Sequence, residues 1–394
     1  MRVAFISHYA ELYGANHSLL GLIKGLPSLG VEPVVFCPMA GPFTEHLNQF
    51  GIAAHILPSC LSIYWPPPTA FSMPRRVVSA GMNALRRWNR QMVNRRMLPQ
   101  IVGKMREERI DLVHTNEHSL SIGLKASKLI GKPHVWHIRS YGDLDYGCEP
   151  DGGRREERRL MAASNALIFN SQSVKSHYLG TSKHSCCHVI YNGIYTEAEF
   201  TALANRTRQS HNTQAPTTFA VVGYVHGAKG QFMAVEALAL LARRGFDVRL
   251  VVAGEGAVAE LNEHARRHNV ADKVRCVGYV ADPRLVYLDA DVVLMCSKME
   301  AFGRVTVEAM ACGCAVVANE VGGSVEILKN EETGLFYDGT VEGLAAAMVR
   351  MTAAPDLRRQ LAAAGQQDAA KKFTVERSCA HVWSVYEQVL KKSG

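Results

Sequence analysis

The chain has 394 residues, 47% of them hydrophobic and 20% charged, with a formal net charge of +8 at pH 7. That length and apolar content allow a sizeable buried core and favour two domains over one. No uninterrupted apolar run approaches the ~20 residues that span a bilayer, so a membrane-spanning helix is excluded and the composition reads as soluble and globular.

The N-terminus MRVAFISHYA passes straight into a strand, without the longer apolar core and small-residue cleavage site of a signal peptide, and cytoplasmic residence is the expectation. The ten cysteines are scattered through apolar runs, as at Cys37, Cys60, Cys276 and Cys296, which reads as reduced core thiols. Cys186-Cys187 and Cys312-x-Cys314 lack a second cluster at zinc-finger spacing, so no structural metal is expected.

Apolar strands alternate with helical patterns from the start. RVAFIS (2–7) precedes a helix over 18–29 stopped by Gly30, then come VEPVVFCP (31–38), a helix over 42–51 and IAAHILP (52–58). Alternation of this kind implies parallel strands joined by crossover helices. After the break Trp65-Pro66-Pro67-Pro68, residues 75–106 hold nine basic residues and no acidic one, more than the net charge of the whole chain. There Arg75, Arg76, Arg86, Arg87, Arg90, Arg95, Arg96, Lys104 and Arg106 alternate with apolar residues such as Val77, Met82, Leu85, Trp88 and Ile101. That pattern predicts a basic amphipathic helix pair, inserted at about 64–109. The rhythm resumes with IDLVHTN (110–116), a helix over 120–130, HVWHIRS (134–140), ALIFNS (166–171) and HVIYNGI (188–194), closing a first Rossmann-like domain at 1–204.

Residues 205–216, NRTRQSHNTQAP, are polar, lack an apolar period and end in proline, which predicts a linker. A second α/β series follows: TFAVVGY (218–224), a helix over 231–245, VRLVVAG (248–254), a helix over 258–269, VRCVGYV (274–280), DVVLMCS (291–297) and helices around 344–351 and 376–391. This sets a second domain at 217–374 and leaves 375–394 as one amphipathic helix. In doubly wound sheets ligands bind at the carboxyl ends of the strands, so the chemistry is expected in a cleft between the two halves.

The strongest chemical signal is EAFGRVTVE (300–308). Glu300 and Glu308 bracket a turn at Gly303 that leads into a helix-forming run, and the free amides and positive dipole end of such a turn suit a phosphate. Gly303 lets backbone approach closely, and the carboxylates can accept hydroxyls on either side of a diphosphate. A sugar nucleotide has that layout. VVGYVHGAKGQ (221–231) places Gly223, Gly227, Lys229 and Gly230 between a strand and a helix, a loop able to wrap phosphate with amides and one cation. HVWHIRS puts His137 and Arg139 on one face of a strand, and His114, Asn116, Glu117 and His118 end the strand IDLVHTN at the same level. Asp143-x-Asp145 has metal-pair spacing but is commonplace in loops, and no metal is assigned to it. The absence of GxGxxG after the first strand argues against a dinucleotide enzyme.

Residues 297–328, SKMEAFGRVTVEAMACGCAVVANEVGGSVEIL, with the doublet Gly322-Gly323 and Glu326, resemble the donor-site signature of the retaining family 4 glycosyltransferases. The resemblance extends over most of the chain. It implies a GT-B fold of two Rossmann-like doubly wound α/β domains facing a central cleft, with the helix at 375–394 crossing back onto the first. It also implies transfer of a sugar, with retention at the anomeric carbon, from a nucleotide-diphosphate sugar, UDP in preference to GDP. The implied acceptor is a saccharide, lipid-linked, in bacterial polysaccharide or glycolipid assembly, and neither metal nor further cofactor is required.

On this resemblance Glu308 holds ribose hydroxyls, Glu300 hydroxyls of the transferred sugar, and amides of Phe302, Gly303, Arg304, Val305 and Thr306 the diphosphate. Gly14 and Gly223 lie at the donor phosphates, Gly254 and Gly256 near the nucleotide, and Val277, Gly278, Tyr279 and Val280 at the base. Lys229 matches the family's phosphate lysine, whereas Tyr224 stands where an arginine is usual, and Arg304 is the expected substitute. The family's active-site histidine falls at Arg139, so either Arg139 takes that role, as a charge stabiliser that cannot act as a base, or His137 performs it. The implied catalytic set is Glu300, Lys229, His137 and Arg139.

The basic segment 75–106 points to docking on an anionic membrane surface, hence a cytoplasmic, peripheral location, and nucleic acid is not an expected partner. Two alternatives stay open: a degenerate GT-B scaffold that binds a nucleotide sugar without turnover, and a nucleotide-sugar epimerase or dehydrogenase.

Overall fold

The computed structural model describes residues 1–67, 73–180, 186–206 and 216–393. The chain forms two compact units, Met1–Gly193 with Val375–Gly394, and Ile194–Thr374.

In the first unit, besides a short antiparallel pair, Ile63–Tyr64 with Glu149–Pro150, the described residues form one sheet of strands β1 (Arg2–Ile6), β2 (Glu32–Cys37), β3 (Ala54–Ile56), β4 (Leu112–Asn116), β5 (His134–Ile138), β6 (Ala166–Phe169) and β7 (Cys187–Val189). They pair in parallel in the order β3-β2-β1-β4-β5-β6-β7. Side chains alternate across a strand, so each face of β1 feeds a different core. Val3 and Phe5 pack with Leu19 and Ile23 of the Gly14–Gly25 helix and with Val382, Tyr386 and Val389 of the C-terminal helix Val375–Ser393. Ala4 and Ile6 pack on the other face with Ile101, Val102 and Met105, and with Ile122 and Ala126 of the helix Ile122–Ile130.

The basic segment is one continuous helix, Met73–Glu107, rather than a pair. Nothing between 75 and 106 supplies a turn cluster, and Pro99 removes only one N–H donor, while the residues after it are anchored on the sheet. The apolar residues of this helix are divided accordingly. Ile101, Val102 and Met105 are buried, whereas Val77, Val78, Met82, Leu85 and Trp88 are 48–66% exposed.

The first unit ends at Gly193, before the boundary at 204 expected from the sequence. The Glu197–Ala204 helix, opened by a Thr196/Glu199 capping box, packs on the helices Arg304–Ala311 and Pro355–Lys372 and so belongs to the second unit. Most of the expected linker, residues 207–215, lies outside the described residues.

The second unit's described strands are β8 (Thr217–Val222), β9 (Val248–Ala253), β10 (Val274–Gly278), β11 (Val292–Met295), β12 (Ala315–Asn319) and β13 (Leu335–Tyr337). They are parallel, in the order β10-β9-β8-β11-β12-β13. In each sheet the chain winds first to one side and then to the other, reversing between β1 and β4 and between β8 and β11. Loops leaving the carboxyl ends of the strands diverge at such a reversal, which opens a crevice for ligand.

Candidate active site

At the reversal in the second unit, the loop after β8 leads to Gly230 and the helix Gln231–Arg243, and the loop after β11 leads to Gly303 and the helix Arg304–Ala311. The two loops are tied together. Lys298 N–H donates to the carbonyl of Ala228 at 2.9 Å, and Lys229 Nζ lies 3.1 Å from Glu300 Oε2. Two residues expected to be catalytic therefore form one ion pair, with the Lys229 side chain 38% exposed and that of Glu300 15%. The lysine can still reach an anion, and the second carboxylate oxygen can still accept from a hydroxyl.

Gly303 sits at φ +105°, a backbone region that side chains disfavour, and an added Cβ would stand 3.1 Å from Ile327 Cδ1. The turn it makes starts the helix. The Thr306 N–H bonds back to the Gly303 carbonyl at 3.1 Å, while the Val305 N–H has no acceptor within the helix. The Thr306 hydroxyl is buried and has no partner among the described residues. Phe302 contributes backbone at this turn, since its ring is buried edge-on against Phe373 at 5.8 Å.

Glu308 is gripped on both oxygens. The Tyr287 hydroxyl donates to Oε2 at 2.9 Å, and Arg304 donates to Oε1 at 3.0 Å, one helical turn away. Arg304, the expected substitute for the arginine missing at Tyr224, lies in the first turn of this helix. Its guanidinium is turned onto Glu308, because the i,i+4 spacing brings the two together. Tyr287 is the residue that sequence reasoning missed. Burial, then the adjacent Glu308 charge, push its phenol well above the ordinary range, so it remains a donor. The available signal was the general need of a buried tyrosine hydroxyl for a partner.

The loops after β8, β9 and β10 lie side by side. Gly223 N–H donates to Ala253 O at 2.9 Å, and Gly254 N–H to Gly278 O at 2.7 Å. Gly254 must be glycine, with φ +151° and an added Cβ 2.0 Å from Gly223 O. Val225 and Gly256 form a bridge, and the Tyr224 side chain packs beside Gly256 and is otherwise exposed. The structure thus gathers Gly223, Gly254, Gly256 and Val277–Val280 at one end of the sheet. Tyr279 is exposed there, and Val277, Gly278 and Val280 are half-buried.

In the first unit, Gly14 opens the Gly14–Gly25 helix, and buried Asn16 fastens the preceding loop through the carbonyls of Tyr9 and Glu11. His137 and Arg139 do lie together. Arg139 donates from Nε to Asn116 Oδ1 and from a terminal nitrogen to Asn192 Oδ1, and its other terminal nitrogen is 3.2 Å from His137 Nδ1. Both side chains are buried. Burial, then the Arg139 charge, hold His137 well below the usual histidine range, so its ring is neutral. Its Nε2 has no partner among the described residues. Arg139 is the permanent cation of the pair, and His137 can exchange a proton only through Nε2. Behind them, Tyr386 OH of the C-terminal helix meets His114 Nδ1 at 2.7 Å, and the His114 ring lies 5.3 Å from that of His137.

Other groups have protein partners. Asp143 pairs with Arg154 and with His177, and Asp145 accepts from the amides of Tyr141 and Gly142. Among the described residues, Glu236, His264 and His268 are the group that could hold a metal ion, with ligand atoms within 4.8 Å of one another. They sit on the helices Gln231–Arg243 and Val258–Arg267 and next to it, not at Glu300.

Two sequence-family models match the chain: the one described as "Glycosyltransferase Family 4" over residues 13–198 and "Glycosyl transferases group 1" over 204–368. A D-inositol 3-phosphate glycosyltransferase of Arthrobacter sp. is 32% identical over 370 residues, covering 86% of this chain and 83% of that protein. One of the same description from Pseudarthrobacter chlorophenolicus is 32% identical over 265 residues, 61% of this chain, which spans only 62% of the relative's length. The crystal structure of the Anabaena protein HepE in complex with UDP-glucose, 21% identical, superposes with a TM-score of 0.78 over 98% of this chain and 100% of that one, which shows a common fold. The chain belongs to the family 4 glycosyltransferases and has their GT-B fold.

Proposed function

We propose that the chain transfers a sugar from a UDP-sugar, with retention, to a lipid-linked saccharide acceptor in bacterial polysaccharide or glycolipid assembly. The observation that carries this reading is the Lys229–Glu300 pair standing beside the Gly303 turn at the reversal of a parallel sheet. In this reading Glu308, oriented by Tyr287, accepts from the ribose hydroxyls, Glu300 accepts from the sugar, and first-turn amides hold the diphosphate. Lys229 neutralises charge that builds on the departing phosphate, where a preorganised cation acts most strongly. In this reading Lys229 and the first-turn amides stabilise that charge without a metal. The relatives named as D-inositol 3-phosphate glycosyltransferases support sugar transfer, and the likeness to a protein solved with UDP-glucose supports a nucleotide-sugar donor.

The acceptor side rests on the helix Met73–Glu107, whose exposed apolar residues are interspersed with arginines. Among the described residues no helix is long and apolar enough to cross a membrane. Attachment at an anionic surface brings the chain to a lipid-borne acceptor.

The test is a thermal-shift comparison of UDP, GDP, ADP and UDP-glucose on the wild type and Glu308→Ala, followed by the anomeric configuration of the product. A ligand selective for the folded state raises the melting temperature by mass action. Stabilisation by UDP and UDP-glucose that disappears in the variant supports the reading, and indifference to all four nucleotides rejects it.

A further inference from the structure

A cavity of about 440 Å³ lies within the first unit, between the Met73–Glu107 helix and the residues that follow β4. That is within the size of small-molecule pockets, about 300–1,000 Å³. Its floor is polar and buried, with His118, Ser121, Asp151 and Glu157 beside the flank of Trp136. Ser62 Oγ and Ser121 Oγ are 2.8 Å apart at its edge, two hydroxyls able to turn toward a ligand. Its mouth carries Arg87, Arg95 and Lys125, all exposed.

The charges around this space do not cancel. Asp151 bonds Arg90 and Glu156 is clasped by two bonds of 2.7 Å from Arg159, while Glu157, 3.2 Å from Arg154, shares that guanidinium with Asp143 and Glu149. His118 is balanced by Glu117, whose Oε1 is 2.5 Å from Nδ1. The side chains of Arg87, Arg95 and Lys125 have no hydrogen bond or ion pair among the described residues. Three cations thus line one polar cavity, with Lys125 near enough to Glu156 to help Arg159 lower its carboxyl, and the arginine fork fits the oxygens of a phosphate. The same surplus disfavours a metal ion, and the volume suits a small phosphoester. The Met73–Glu107 helix that lines the cavity also exposes Val77, Met82, Leu85 and Trp88 toward its N-terminal end.

We infer that this cavity is the phosphate subsite for the acceptor, taking the phosphate or diphosphate group through which the acceptor saccharide is carried, with Arg87, Arg95 and Lys125 as its cationic contacts. The inference rests on the reading of the chain as a sugar transferase. It narrows the acceptor to a phosphorylated one, whether the phosphate belongs to a lipid carrier or to a soluble ester.

The probe is inorganic pyrophosphate, titrated calorimetrically into the full chain with UDP saturating, so that the donor side is occupied. The wild type is compared with the triple variant Arg87→Gln, Arg95→Gln, Lys125→Gln, whose exposed positions leave the fold intact, as an unchanged melting temperature verifies. Pyrophosphate bound by the wild type and at least tenfold more weakly by the triple variant, with equal UDP affinity in both, supports the site. Failure of the wild type to bind pyrophosphate, or equal binding by both proteins, overturns it. If UDP does not bind but pyrophosphate still separates the two proteins, the phosphate site stands and the transferase reading falls. Vesicles of phosphatidic acid in phosphatidylcholine then distinguish the source. Pyrophosphate that displaces the wild type from them identifies a lipid-borne phosphate, and vesicle binding indifferent to pyrophosphate identifies a soluble ester; both support the subsite.

Discussion

Lys229 Nζ stands 3.1 Å from Glu300 Oε2, so a lysine from the loop after β8 and a glutamate from the loop after β11 form one ion pair at the point where the sheet reverses. A donor diphosphate must draw Lys229 partly away from Glu300, and the two residues divide the work of binding and transfer. Lys229→Ala is expected to lower kcat by about 10²–10³, the loss typical of one preorganised charge-stabilising group. Glu300→Gln keeps an acceptor for a sugar hydroxyl but releases the lysine, so UDP binds at least as tightly while transfer falls. Steady-state rates with UDP-glucose and calorimetry with UDP check both. Wild-type turnover in Lys229→Ala removes the lysine from the mechanism.

Tyr287 offers a finer test because its hydroxyl touches Glu308 and its ring is wholly buried. Tyr287→Phe preserves the packing and deletes one hydrogen bond, at a cost of about 1 kcal/mol in stability. Glu308 then keeps the Arg304 contact but loses the tyrosine hydroxyl, and its orientation toward the ribose is loosened. The expected result is a KM for donor several-fold higher with kcat nearly unchanged, read from the same assays. An equal fall in kcat assigns Tyr287 to the chemical step instead.

The adjacent residues Glu117 and His118 make stability depend on pH in a defined window. Burial disfavours the charged forms of both, but their mutual attraction outweighs it. It lowers Glu117 from 4.5 to about 2 and raises His118 from 6.5 to about 10. A raised histidine contributes stability that is complete below 6.5 and fades as pH climbs toward 10. A lowered glutamate contributes stability that is complete above 4.5 and fades as pH falls toward 2. The pair therefore acts in full between about pH 4.5 and 6.5. Asp145 works in the opposite sense: burial raises it to about 6, so its contribution is present in acid and lost between 3.8 and 6. His118→Gln strands a buried carboxylate and is expected to cost about 3–5 kcal/mol near pH 6. In urea unfolding, the gap between wild type and variant should shrink steadily from pH 6.5 to 10, and a gap independent of pH rejects the pairing.

Much of this fold is local in sequence. Strand alternation in RVAFIS and the turn within EAFGRVTVE are both written within a few neighbouring residues, so they are legible before any packing is known. The side-chain pairs are not, because packing brings them together over long separations. Tyr287 meets Glu308 across 21 residues, Arg139 meets Asn192 across 53, and Tyr386 meets His114 across 272. The Arg304–Glu308 pair, by contrast, stands at i,i+4 spacing and was there to be read within one helical turn. The capping box at Thr196 and Glu199 was a readable signal that a helix starts there, ahead of the expected boundary. Apolar and basic residues at helical spacing could not separate one helix from two. That distinction depends on which apolar residues find the sheet, and only Ile101, Val102 and Met105 among the named ones do.

The exposed end of the Met73–Glu107 helix carries the last prediction. Leu85 and Trp88 are more than half exposed and flank exposed Arg86, with Arg96 exposed further along. On an anionic vesicle each arginine near the surface is worth about 1 kcal/mol, and the apolar pair adds burial that salt does not screen. Arg86→Gln with Arg96→Gln is therefore expected to weaken binding to phosphatidylglycerol vesicles by roughly 30-fold and to flatten its salt dependence. Leu85→Ser with Trp88→Ser should weaken it at every salt concentration. None of these four residues lines the phosphate cavity, so UDP and pyrophosphate binding should persist in both variants. Sedimentation with vesicles at several salt concentrations separates the two contributions. If the arginine and apolar variants both sediment like the wild type, the membrane does not meet this helix, and its exposed apolar face must be covered by something else.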